Sequence, residues 1–173
     1  IRDHCVTGVQ TCALPIWERG RDRLRGCLDT ASALGSDCVV VTTGGPAGLS
    51  WEEAADALAE AIAPVVAEAR TRGLSLAAEN TNSLRLDISF ATTLRDTCDL
   101  ARRLGIGVCM EVNNAWCERG LAETVRRNVD LLRIVQVNDF VVGTLQTPDR
   151  AVPGDGDIPL RRVLGTLLEA GYR

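Results

Sequence analysis

The sequence predicts an α/β fold built on a parallel sheet, and three observations carry that reading. Helical and strand patterns alternate along the chain, and the strands recur at intervals of about thirty residues, an arrangement that makes parallel sheets with right-handed crossovers. Three apolar runs each end in acids and amides: LSLAAEN on Glu79 and Asn80, IGVCMEVNN on Glu111, Asn113 and Asn114, and IVQVND on Gln136, Asn138 and Asp139. A buried strand that turns polar at its C-terminal end is the pattern of an α/β barrel with its active site on that rim. No Gly-x-Gly-x-x-Gly fingerprint opens a helix, which weighs against a dinucleotide-binding sheet.

Taken in order, Glu18 to Leu34 has an amphipathic helical pattern that stops at Gly35. A strand is predicted over 38–43. Ser50 with Glu53 three residues on is a capping box, opening a helix that runs to about Arg72 and ends at Gly73; Pro64 inside it predicts a kink. A strand follows over 74–79, and Ser89 is the expected cap of a helix over 90–104 that ends at Gly105. Then come a strand over 106–112, a helix from Leu121 to about Leu132, a strand over 134–138, a long loop to Pro159, and a last helix over about 160–170.

Bulk properties exclude several classes. The chain has 173 residues, 46% hydrophobic and 24% charged, an ordinary globular composition able to bury a core. Net charge −4 and pI 5.1 argue against a nucleic-acid partner, and no apolar run reaches membrane-spanning length. All 19 basic residues are Arg, so Schiff-base chemistry and the phosphate-loop lysine are excluded. The seven cysteines, Cys5, Cys12, Cys27, Cys38, Cys98, Cys109 and Cys117, form no Cys-x-x-Cys pair, and their number is odd. Reduced, buried thiols in a cytoplasmic protein suit this pattern better than a disulfide framework.

Residues 1–16 have no useful period and no capping signal. Val6 to Ile16 reads as the in-frame translation of a short-read sequencing adapter, so 1–16 is assigned as a non-native segment and 17–173 as the domain. His4, the only histidine, falls in the excluded part. The domain then has no imidazole for a general base, a Ser-His triad or a zinc site.

The remaining residues resemble the sugar phosphate isomerase/epimerase family, the xylose-isomerase-like TIM barrels. Glu79 matches the fifth-strand Glu of that family. Glu111 stands where the sixth-strand Asp is expected, and Asn114 where the following His is expected. Gln136 replaces the seventh-strand His and Asp139 matches the next acid. Arg150, Pro153, Gly154 and Gly156 match the Arg-x-x-Pro-Gly-x-Gly loop. The resemblance implies a partial (β/α)8 TIM barrel, about strands four to seven with their helices. A whole barrel takes ~250 residues, so it also implies a chain incomplete at both ends, lacking the eighth-strand Glu, and by itself inactive.

In the family, isomerisation or epimerisation passes through an enediolate stabilised by a divalent ion. The resemblance makes Glu79 the catalytic base and, with Glu111 and Gln136, a metal ligand. It gives Asn114, Asp139 and Arg150 to substrate binding. An all-oxygen site suits Mn²⁺ or Mg²⁺, and the two His-to-amide changes predict weak metal binding or none. The expected partner is a small sugar or polyol, with neither nucleic acid nor membrane; the full-length protein can be a homo-oligomer.

Plainer readings stand beside these. Glu79 can pair with Arg85, the Glu111–Asn114 stretch can be a simple turn, and the Pro153–Gly156 loop can be only a tight turn. Thr42 to Gly45 can bind an anion or merely link a strand to a helix. Trp116 can wall a sugar pocket or pack. At the level of function, the alternatives to an isomerase or epimerase are a degenerate barrel that binds a polyol without catalysis, and an apurinic-site endonuclease relative. The latter needs a His-rich zinc cluster and a basic face.

Overall fold

The computed structural model describes residues 2–146 and 149–173, with side chains from Glu18 onward. His4, Cys5 and Cys12 therefore lie outside the described side chains, as does the rest of the adapter-like segment.

Four strands, β1 (Cys38–Val41), β2 (Ser75–Glu79), β3 (Gly107–Glu111) and β4 (Leu132–Gln136), form one sheet in the order β1-β2-β3-β4. Every neighbouring pair is parallel. Helices α1 (Arg2–Leu34), α2 (Trp51–Thr71), α3 (Leu94–Leu104), α4 (Val112–Ala115), α5 (Leu121–Asn128) and α6 (Leu160–Glu169) alternate with them. This is the sequential parallel arrangement of adjacent strands in a (β/α)8 barrel.

The sheet's two faces have different jobs. Leu76, Ala78, Val108 and Met110 pack against Val65, Val66 and Ala69 of α2 and Leu94, Cys98 and Ala101 of α3, all buried. Strand side chains alternate, so the partners in register on the other face are Ala77, Glu79, Cys109, Glu111, Ile134 and Gln136. The apolar core thus holds one face while the other face carries the acids and the amide to the C-terminal rim.

The capping box at Ser50 is present in full. Ser50 Oγ accepts from the Glu53 backbone N–H at 3.2 Å, and Glu53 Oε2 accepts from the Ser50 N–H at 2.9 Å. Pro64 lies within α2, which runs unbroken through it as one 21-residue helix.

Other boundaries move. The cap of α3 is Thr93, not Ser89; its side chain accepts from the Asp96 N–H. Ser89 is fully buried and its hydroxyl pairs with Thr43 Oγ1 at 2.9 Å, where the loops after β1 and β2 meet. β4 starts two residues before the expected strand, after a 3-10 turn at Val129–Leu131. The short helix α4 was not expected, and α1 extends N-terminally of Glu18. Nor are all the described thiols buried: Cys27 and Cys117 are exposed, whereas Cys98 and Cys109 are interior.

Candidate active site

Three of the four strands end in the residues that the sequence singled out. Glu79 closes β2, Glu111 closes β3 and Gln136 closes β4. Glu111 and Gln136 are direct register partners, and Glu79 lies in register with Cys109, two residues before Glu111. All three sit at one end and on one face of the sheet.

Asn80 fixes the two acids relative to each other. Its side chain is fully buried and extends the ladder between β2 and β3. Asn80 Nδ2 donates to the Glu111 carbonyl at 3.1 Å, and the Glu111 N–H donates to Asn80 Oδ1 at 2.8 Å. Asn114 Nδ2 donates to the Asn80 carbonyl at 3.0 Å, so the amides of the two strand ends form one network.

Glu111 is buried, with 1% of its surface exposed. Both of its oxygens are occupied. Oε1 accepts from Asn138 Nδ2 at 2.7 Å and from the Asn113 N–H at 3.1 Å, the latter capping α4. Oε2 accepts from Arg150 Nη2 at 3.2 Å in an ion pair. A buried carboxylate needs such partners to stay charged. The turn is thus present, as the short helix α4 capped by Glu111.

Glu79 is different. It is half-buried, and among the described residues no group donates a hydrogen bond to its carboxylate. Arg85, the alternative partner, is held by Asp87 through two 2.9 Å bonds. Burial pushes the Glu79 carboxyl above its ordinary value of 4.5, the charge of Glu111 pushes it the same way, and Arg150 opposes both. Cys109, between the two acids, has its thiol pushed up to about 12 by burial and by the charges of Glu79 and Glu111. It stays protonated and is no nucleophile.

Glu79 faces a cleft of about 250 Å³, whose walls include Asn113, Asn114, Phe140 and Arg150. Gln136 does not line it. Asp139, expected to bind substrate, does not line it either. Asp139 is buried, and its oxygens accept from the backbone N–H groups of Phe140 (2.9 Å), Gly154 (2.9 Å) and Ile158 (3.0 Å). Burial would raise its carboxyl, but these donors and Gly156 outweigh it and hold it below 3.8. The carboxylate is turned into the Arg150–Ile158 loop as its anchor. The Pro153–Gly156 turn is thus organised around a buried charge.

Two further sequence alternatives are addressed by a hydrogen bond and by packing. The Gly44 N–H donates to the Ile88 carbonyl, and the Gly44 carbonyl accepts from the Phe90 N–H, so the Gly44 N–H is occupied and not offered to an anion. Trp116 packs against the core. The partners that residue-by-residue reading left without a role are Asn80, Asn113 and Asn138. Their signal was already present as amides clustered with the strand-end acids.

The resemblance implied a divalent cation on Glu79, Glu111 and Gln136, but the residues present do not fit one. Among the described residues no group of three or more His, Cys, Asp or Glu side chains can hold a metal ion. The donor set gives the reason. Glu111 already has three donors, Gln136 offers only a neutral amide, and a guanidinium lies against the carboxylate that a cation would need.

A parallel sheet whose strand ends carry acids and amides to one rim is the arrangement of strands in an α/β barrel. The chain matches the family described as xylose isomerase-like TIM barrel over residues 4–173, and belongs to that family. No curated protein sequence matches it. Among solved structures it is similar to protein SMc04130 from Sinorhizobium meliloti 1021, at 29% identity and a TM-score of 0.82 over 90% of this chain and 59% of that one. It is similar in fold to the IolI protein with a bound zinc atom, at 20% identity and TM-score 0.71 over 88% and 55% of the two chains. It is also similar in fold to D-allulose 3-epimerase from Methylomonas sp. in complex with D-allulose, at 20% identity and TM-score 0.68 over 90% and 54%. The chain thus spans less than two thirds of each of these relatives.

Proposed function

We propose that the protein is a sugar or sugar-phosphate isomerase or epimerase that moves a proton next to a carbonyl through an enediolate, with Glu79 as the base. The observation that carries this reading is the state of Glu79. Its carboxylate stands in the cleft with no hydrogen-bond donor among the described residues and with a raised pKa. A base of this kind takes a carbon-bound proton more readily than an ordinary surface carboxylate does.

In the proposed reaction Glu79 removes the proton on the carbon beside the carbonyl, and the electron pair moves onto the carbonyl oxygen. Return of the proton to the former carbonyl carbon, with the hydroxyl proton passing from the first oxygen to the second, gives the aldose–ketose shift. Return to the opposite face gives the epimer and needs a second acid, which the resemblance assigns to an eighth-strand Glu. Asn114 and Arg150 hold substrate oxygens on the cleft wall. The sugar-bound epimerase relative supports a polyol as the substrate class.

The test, made on the full-length protein because this chain is expected to be inactive by itself, is exchange of the substrate's carbon-bound hydrogen with deuterated water, followed by NMR across a panel of ketoses and their phosphates. The expected result is exchange that falls by about 10²- to 10⁴-fold in Glu79→Gln. Because the base must be ionised, the rate should rise with pH through a midpoint above 4.5, the ordinary carboxyl value. Equal exchange in the variant would exclude Glu79 as base.

A second reading, a polyol-binding barrel without catalysis, is favoured by Gln136 and Asn114 standing where imidazoles are expected. Saturable ketose binding with no exchange at any pH would establish it in place of the first.

A further inference from the structure

We propose that the guanidinium of Arg150 occupies the electrostatic place of a metal ion over Glu111, so that the ligand's oxyanion is held by a protein cation. The inference rests on the enediolate reading above for the nature of the ligand, but the placement of the charge stands on geometry alone.

The first support is the state of Glu111. A divalent ion needs a free carboxylate lone pair at roughly 2.0–2.6 Å. On Glu111 one oxygen already accepts from Asn138 Nδ2 and the Asn113 N–H, and the other accepts from Arg150. A dication added there would have to sit against a permanent positive charge, because arginine keeps its proton in proteins.

The second support is how Arg150 is held. The adjoining residue, Ala151, forms an antiparallel bridge with Asp139, with the Asp139 N–H donating to the Ala151 carbonyl at 3.0 Å and the Ala151 N–H to the Asp139 carbonyl at 2.8 Å. The Asp139 carboxylate then binds the backbone N–H groups on the far side of the same loop. The loop backbone beside Arg150 is therefore tied down by a buried acid.

The third support is what the guanidinium leaves free. Its side chain is 54% exposed, and among the described residues one of its five N–H groups is spent, on Glu111. It also lines the cleft that Glu79 faces. A planar fork of donors matches two oxygens on adjacent carbons, the pattern of an α-hydroxycarbonyl compound and of the enediolate derived from it. Glu111 is then a positioning residue that holds the guanidinium.

The experiment uses the 173-residue chain and Mn²⁺ alone as the probe, read by loss of the free-ion electron paramagnetic resonance signal. The wild type should leave Mn²⁺ largely free. Arg150→Gln should bind it at least about tenfold more tightly, a change of about 1.4 kcal/mol. Arg150→Lys, which keeps the charge, should behave like the wild type. Adding Glu111→Gln to Arg150→Gln should remove the gain. Wild-type binding as tight as that of Arg150→Gln, at any affinity, overturns the proposal, as does a gain that survives Glu111→Gln. A positive manganese result together with no deuterium exchange in the full-length protein would leave the guanidinium assignment standing and sink the isomerase reading, so the two fail separately.

Discussion

The buried amide of Asn80 does as much for the rim as either acid. It satisfies the N–H and the C=O of Glu111 where the β2–β3 ladder ends, and without it both backbone groups are buried unpaired. Asn80→Ala should destabilise the chain by about 2 to 6 kcal/mol, from two groups costing roughly 1–3 kcal/mol each. Urea unfolding measures this, and a loss under 0.5 kcal/mol would show that water replaces the amide. Glu79 and Glu111 illustrate how one residue type takes two roles through its surroundings. Three donors make Glu111 a fixed counter-charge, and the absence of donors among the described residues leaves Glu79 free to accept a proton. The sequence placed both at strand ends but did not separate them, because the distinguishing partners Asn138 and Arg150 come from beyond β3.

At the scale of elements, the Arg150–Ile158 loop is the part most sensitive to small changes. A Cβ on Gly156 would collide with the Asp139 carboxylate and lie 2.7 Å from the Phe140 nitrogen. Gly156→Ala should therefore cost about 1–3 kcal/mol, the usual range for overpacking, and should shift the grip on Arg150. A melting temperature within a degree of wild type would contradict the close packing. Ser50→Ala, by contrast, should cost about 1 kcal/mol by loss of the cap and leave ligand binding unchanged, a split that thermal melts and ketose titration can read together.

These elements also show where sequence reading succeeds. Ser50 with Glu53 was legible because a capping box is local, both halves lying within one turn. Ser89 misled because its hydroxyl is claimed by Thr43, 46 positions away, a contact invisible in any window. The start of β4 was missed for a related reason: the 3-10 turn at Val129–Leu131 ends the helical pattern early.

For the whole molecule, two carboxyl groups pull the pH dependence of stability in opposite directions. Asp139 has its folded value lowered, so its contribution is present above the ordinary 3.8 and is lost as pH falls through the lower folded value. Glu79 has its folded value raised, so its contribution is present below the ordinary 4.5 and is lost as pH rises through the higher folded value. Asp139→Asn should flatten the acid side of a melting-temperature profile, and Glu79→Gln should flatten the decline above 4.5 and raise stability at neutral pH. If Glu79→Gln melts lower than wild type at neutral pH, the desolvation assigned to Glu79 is wrong. The adapter origin of residues 6–16 is a separate proposal, tested by resequencing the source DNA through that junction.

Alternating helix and strand patterns, and polarity appearing abruptly at strand ends, were enough to determine the parallel α/β class and to nominate Glu79 and Glu111, while Arg150 came from the family resemblance of its loop. Those signals are written in local spacing, which side-chain periodicity preserves. Tertiary structure alone decided which acid is sealed and which is open, that Asp139 anchors a loop, and that a guanidinium lies where a cation was expected. Each of these depends on contacts between residues far apart in the chain. Burial and hydrogen-bond partners there set the charge and reach of a side chain, and no sequence window contains them.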